Sequence, residues 1–143
     1  MTDVVCLETT AELRIHPGDL TPHEVTRRLQ ITPSRTALGG VAWTASVGQE
    51  RLSPSNGWFL STEGRVASLD LRKHLDWLIA QIAPRKKELA ALQKLPGMRM
   101  SVCCTWHGRA GHGGPTLGPA QMAALAELGL DCSVDVYLQA STR

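Results

Sequence analysis

Met98-Arg99-Met100-Ser101-Val102-Cys103-Cys104-Thr105-Trp106-His107 alternates between apolar and polar residues without a break. Successive side chains on a strand point to opposite faces, so period two predicts a strand with one greasy and one wet side. Two more stretches repeat the pattern. Val5, Leu7, Ala11, Leu13 and Ile15 interleave with Glu8, Glu12, Arg14 and His16; Leu130, Cys132, Val134, Val136 and Leu138 interleave with Asp131, Ser133, Asp135 and Tyr137. Strands apolar on one face only predict a sheet with helices on one side and an open polar side.

The segments between supply the helices. Thr21-Pro22-His23-Glu24 has the form of a capping box with proline at the first helical position, followed by Val25 and Leu29 and stopped by Thr32-Pro33. Residues 34–40 read as loop. Val41–Val47 reads as a short strand, Gln49–Asn56 as a turn and Gly57–Ser61 as an aromatic strand. Leu71, Leu75, Leu78, Ile79 and Ile82 lie three and four apart and predict a helix over Leu69–Ile82. Pro84 interrupts it, and Leu89, Leu92 and Leu95 predict a further piece over Arg85–Leu95. A glycine-rich loop from His107 leads to a last helix starting near Gly118-Pro119 and ending at Gly129.

The expected fold is therefore α+β: a two-layer sandwich whose mixed or mostly antiparallel sheet of about five strands carries helices on one face. Leu20-Thr21-Pro22 and Leu117-Gly118-Pro119 each open a helix after a strand. That echo admits two readings, a duplicated strand–helix–strand unit of ferredoxin-like character or two helices obeying the same start rules.

Composition fits one globular domain over 1–143. A chain of 143 residues buries roughly 70% of its unfolded surface. Its 43% hydrophobic and 20% charged content are ordinary globular values. A net charge of +2 is too small to point to nucleic acid or a membrane surface. No apolar run approaches the roughly 20 residues of a membrane helix, and the N-terminus lacks the basic-then-apolar pattern of a secretory signal. These features predict a cytoplasmic protein. Among the four cysteines, Cys104 and Cys132 fall on apolar faces, whereas Cys6 and Cys103 fall on polar ones. A Cys6–Cys103 disulfide would require the first and fourth strands to be neighbours and is disfavoured in a reducing compartment.

Four blocks carry a family resemblance: Asp19–Leu29, Asn56-Gly57-Trp58, Leu69–Leu78 and Leu128–Tyr137. In this order the chain resembles a bacterial family known only as domain of unknown function 4279. The resemblance implies a small stand-alone α+β domain of bacterial origin and brings no catalytic residue. The glycine- and histidine-rich loop before the last helix is richer here than the family pattern.

Several chemical readings have plainer alternatives. Cys103, His107 and His112 are ligand types for zinc, but Cys103 and His107 stand about 13 Å apart along one strand face, too far to share an ion without a bulge. Surface polar residues beside a loop are the plainer reading. Gly108–Gly118 lies where phosphate loops sit, yet no Lys-Ser or Lys-Thr pair and no Gly-x-Gly-x-x-Gly occurs, so no cofactor is implied. The helix start at Gly118-Pro119 offers free amides that would hold an anion weakly. Cys103, His107 and Asp135 have the residue types of a nucleophilic triad, with nothing in the sequence to bring them within hydrogen-bond reach. Arg85-Lys86-Lys87 with Arg27, Arg28 and Arg35 reads better as solvated helix surface than as a nucleic-acid footprint, because the open face offers Tyr137 as its lone aromatic. Trp43 and Trp58 read as core, with partial exposure at a sheet edge as the alternative.

The reading that results is a non-catalytic protein-binding module. Its binding residues are Arg14, His16, Trp58, Cys103, His107, Asp135 and Tyr137, with no metal. The expected partner is another protein, by analogy a bacterial toxin neutralised by an immunity protein, or a second copy of the chain. A small-molecule-binding or enzymatic domain with a polar pocket on the open face is the alternative.

Overall fold

The structure, a computed structural model, describes residues 5–40, 42–44, 50–52, 55–109, 111 and 113–139; for 42–44 and 50–52 it describes the backbone alone. Three long strands carry the period-two pattern: β1 (Cys6–His16), β6 (Arg99–Arg109) and β7 (Asp131–Gln139). Two shorter strands, β2 (Arg35–Ala37) and β5 (Gly57–Ser61), complete a sheet in the order β2-β5-β1-β6-β7. All neighbours are antiparallel except β6 and β7, which run parallel. The mixed sheet of five strands is as expected.

Three details differ from the sequence reading. Residues 34–40 contain β2, the fifth strand of the main sheet. It is three residues long and pairs only with β5, too little to leave a periodic signature. Val41–Val47 instead contributes β3 (Ala42–Thr44), which pairs with β4 (Glu50–Leu52) in a separate hairpin. β4 falls inside the expected turn Gln49–Asn56. The two strand–helix–strand units are also unlike. β1 and β2 flank the first helix as parallel strands with β5 between them, whereas β6 and β7 flank the last as adjacent parallel strands with no strand between them. The echo thus extends to the helix starts and not to strand pairing; the ferredoxin-like character comes instead from two split strand–helix–strand units, β1 to β2 enclosing β5 and β5 to β6 enclosing β1.

The helices form where caps and stripes direct them. α1 (Pro22–Leu29) is capped by the Thr21 hydroxyl, which accepts the Glu24 amide at 3.2 Å, and ends at Gln30 in the left-handed conformation. α2 (Leu71–Ile82) starts at Asp70, whose carboxylate accepts the Arg72 amide at 3.0 Å. Proline at 84 turns the chain through one 3₁₀ turn, Ala83–Arg85, into α3 (Lys86–Gln93). α4 (Pro119–Glu127) ends at Gly129, whose φ of 70° suits glycine.

All four pack on one face. Leu71, Leu75, Leu78 and Ile82 of α2 lie over Ala11, Leu13 and Ile15 of β1 and Val102 and Cys104 of β6. Val25 and Leu29 of α1 and Leu89 and Leu92 of α3 extend this core. Gln121 ties α4 to α2 through a 2.6 Å bond from its amide to Asp76. Asn56 clasps three loops: it accepts the Gly39 amide at 2.8 Å and donates to the Gly18 and Leu20 carbonyls, each at 3.1 Å.

At the core's margin stands a buried polar cluster. His74 is 1% exposed; its Nε2 donates to the Ser68 carbonyl, so Nδ1 accepts from the Thr62 hydroxyl, both at 2.7 Å. Thr62 Oγ1 also accepts the Ala11 amide at 2.9 Å. This chain locks the 62–70 loop to α2 and the centre of β1.

Candidate functional site

Pairing register arranges the helix-free side of the sheet in rows. Arg35, Phe59, Arg14, Ser101 and Asp131 are successive partners across all five strands. The next row is Ser61, Glu12, Cys103 and Ser133, followed by Thr10, Thr105 and Asp135, then Glu8, His107 and Tyr137. Beyond the first row, His16 pairs with Arg99. Six of the seven expected binding residues therefore share one surface: Arg14, His16, Cys103, His107, Asp135 and Tyr137.

Trp58 is the correction. It is fully buried and its indole donates to Thr26 Oγ1 of α1 at 2.9 Å. β5 is an inner strand, and Trp58 is in register with the buried Ile15, so it takes the helix side. Its neighbour Phe59 takes the open side instead. There it is 7% exposed, capped by the Arg35 guanidinium 3.8 Å from the ring centroid and by the edge of His16, 5.8 Å between centroids. Sequence reasoning missed Phe59; alternation within Gly57–Ser61 was the available signal, hidden because Trp58, Phe59 and Leu60 are all apolar. The expected site of Trp43 lies outside the described side chains.

Two ends of the face differ in chemistry. At one end Arg14 donates to Glu12 at 2.8 Å and Arg35 approaches the same oxygen at 3.6 Å. Burial pushes the His16 imidazole below its ordinary value, and the Arg99 and Arg14 guanidiniums act in the same direction. The Asn56 backbone opposes this shift, yet Nδ1 of His16 is buried with no hydrogen-bond partner among the described residues. At the other end the His107 and Tyr137 rings are stacked, with Tyr137 about half exposed.

Between the ends, Cys103 Sγ sits 3.6 Å from the hydroxyls of both Ser101 and Ser133. His107 lies two register rows away, and Asp135 is opposite Thr105. No hydrogen bond links Cys103, His107 and Asp135 among the described residues, so the triad is not assembled. Nor does any group of three His, Cys, Asp or Glu converge among those residues; His112 lies outside them.

Other sequence readings resolve as follows. A bulge between Cys6 and Glu8 brings Cys6 into register with Gly108 on the helix side, so Cys6 does not share a face with Cys103. All four cysteines are free. Cys104 and Cys132 face each other at 3.9 Å, and the hydrogen bond with Cys132, together with burial, raises the Cys104 thiol. Val136 and Leu138, expected on the buried face, are 49% and 53% exposed on β7, an edge strand of the sheet. The strand β6 continues through Arg109, so the expected loop begins later than His107. One amide expected free at the α4 start is occupied: Gly118 N–H donates to Gln121 Oε1 at 2.8 Å. In the basic runs, Arg27 and Arg28 pair with Glu24, Arg85 with Glu88 and Lys86 with Glu127.

Residues 7–139 match the family described as domain of unknown function (DUF4279). The chain belongs to that family. The match begins inside β1 and ends with β7, so the DUF4279 region comprises the whole main sheet and its helix layer. No curated protein and no solved structure matches the chain. No helix among the described residues of this DUF4279 member is long and apolar enough to cross a membrane.

Proposed function

We propose that this chain is a non-catalytic protein-binding module of the bacterial cytoplasm, engaging its partner through the helix-free face of the sheet. The observation that carries this reading is the continuity of the face: register rows of polar side chains run from Arg35 to Tyr137 with every helix on the opposite side. Five strands and their long dimension give a surface roughly 19 Å by 30 Å, on the order of 600 Å². A partner in a standard complex contributes about 800 Å². The half-exposed Tyr137 stacked on His107 supplies the aromatic anchor that interfaces favour. Cys103 has hydroxyl neighbours where a nucleophile needs an imidazole.

Within this reading the partner is a toxin and the protein is its antidote, a form that rests on analogy with other small bacterial domains. The test is binding to the secreted effector encoded beside the gene, measured calorimetrically. Thr105→Arg and Tyr137→Ala should each weaken it at least tenfold, while Lys87→Glu on the helix layer should not. Equal affinity of all variants would refute the open face as the docking surface, and no binding at all would refute the antidote role.

A further inference from the structure

An open groove of about 700 Å³ starts at the Arg14 end of the face and wraps around the beginning of β6. This volume lies within the roughly 300–1,000 Å³ range of small-ligand sites. Its lining is polar at Arg14, Arg99, Ser101 and Asp131 and apolar at Met98 and Met100, which are partly buried against the core. We propose that this groove binds a monocarboxylate carrying an apolar body. The proposal deepens the binding reading above and rests on it only in requiring that the face be uncovered.

Charge selects the headgroup. Arg14, Arg35 and Arg99 meet at this end, opposed by Glu12 and Asp131. Three guanidiniums against two carboxylates leave one positive charge, which one carboxylate neutralises and a phosphate dianion would overshoot. The donors are also disposed for it. Arg14 uses Nε on Glu12, leaving its terminal nitrogens for a second acceptor. Arg99 is exposed and forms no ion pair among the described residues. Guanidinium forks hold carboxylates through paired hydrogen bonds. The Ser101 hydroxyl, in register with both Arg14 and Asp131, adds a donor between them. The methionines are flexible and polarisable, suited to an apolar body of variable shape.

The test is an NMR titration of the full chain with hexanoate, hexanol and hexylamine. Hexanoate should shift the amides of 98–103 and 129–131 saturably. Hexanol should bind at least fivefold more weakly and hexylamine more weakly still. Arg99→Gln, at an exposed position, should weaken hexanoate at least fivefold with unchanged melting temperature. Hexanol matching hexanoate, or an unchanged Kd for Arg99→Gln, would overturn the proposal. A peptide ending in a leucine carboxylate, compared with its amide, separates the two sources of the headgroup: preference for the acid form over hexanoate assigns it to a protein terminus, and the reverse to a free acid. Thr105→Arg and Tyr137→Ala leave this groove intact. Lost partner binding with retained hexanoate shifts would therefore separate failure of one proposal from failure of the other.

Discussion

The imidazole of His107 stacks on the phenol of Tyr137, centroids 4.8 Å apart and planes 16° apart. The two residues are register partners on the parallel strands β6 and β7, so the backbone ladder itself holds the rings face to face. Such pairs contribute about 0.5–1.5 kcal/mol beyond area burial, and less where solvent reaches them. Tyr137→Ala should cost under ~1 kcal/mol in urea denaturation. It should also move the His107 ring protons downfield by removing the ring current. Unmoved His107 resonances would show that the rings do not stack in solution.

The buried Thr62–His74 pair should matter more to stability. Thr62→Val leaves both the Ala11 amide and His74 Nδ1 without their partner. An unsatisfied buried polar group costs about 1–3 kcal/mol. The variant should lose about 2–4 kcal/mol, and the Ala11 amide should exchange faster with deuterium. A loss below ~0.5 kcal/mol would contradict this account.

Gly108 is required by a close approach. A Cβ there would stand 2.2 Å from the ring of Trp106, which is 3% exposed. Gly108→Ala should cost about 1–3 kcal/mol through overpacking and shift the tryptophan fluorescence to the red as the ring is displaced. The same substitution at Gly114, where a Cβ meets nothing within 4 Å, should cost less than ~1 kcal/mol.

His16 sets a pH dependence. Its folded value lies below the ordinary 6.5, chiefly through burial. The unfolded chain then binds the proton more readily, so stability falls as pH drops through 6.5 toward the folded value and is fully present above it. The NMR midpoint of the His16 ring should lie below 6.5, and His16→Gln should flatten the loss between pH 7.5 and 5. Glu24 acts in a separate window: Arg27 and Arg28 lower it from 4.5 to about 2, so its contribution disappears only in stronger acid. A His16 midpoint above 6.5 would reverse the sign.

What the sequence showed and hid follows from period. β1, β6 and β7 are long enough for alternation to separate two faces, and with them the positions of Arg14, Cys103 and Asp135 were legible. Thr21 and Gly129 mark helix ends by the same local rules that the structure obeys, whereas Asp70 lies inside the expected Leu69–Ile82 and proves to cap the helix. β2 was illegible because three residues carry no period. Which of Trp58 and Phe59 takes the open side is not legible, because a run of apolar side chains does not say which face is which; only pairing with Ile15 and Arg14 decides. His74 was hidden for a different reason. Its partners lie at Thr62 and Ser68, in a loop with no pattern of its own, so only the folded chain brings them together.

The sheet's central pairing joins its first strand to one made much later, as the Thr10–Thr105 hydroxyl bond across a separation of 95 residues illustrates. On the ribosome β1 therefore emerges long before β6, and the edge of β1 that pairs with β6 waits unpaired while more than half the chain is synthesised. Contacts this distant slow folding and prolong exposure to aggregation. Nascent copies truncated before Arg109 should accordingly be sticky, chaperone-bound species, and productive collapse should begin only once β6 clears the exit tunnel.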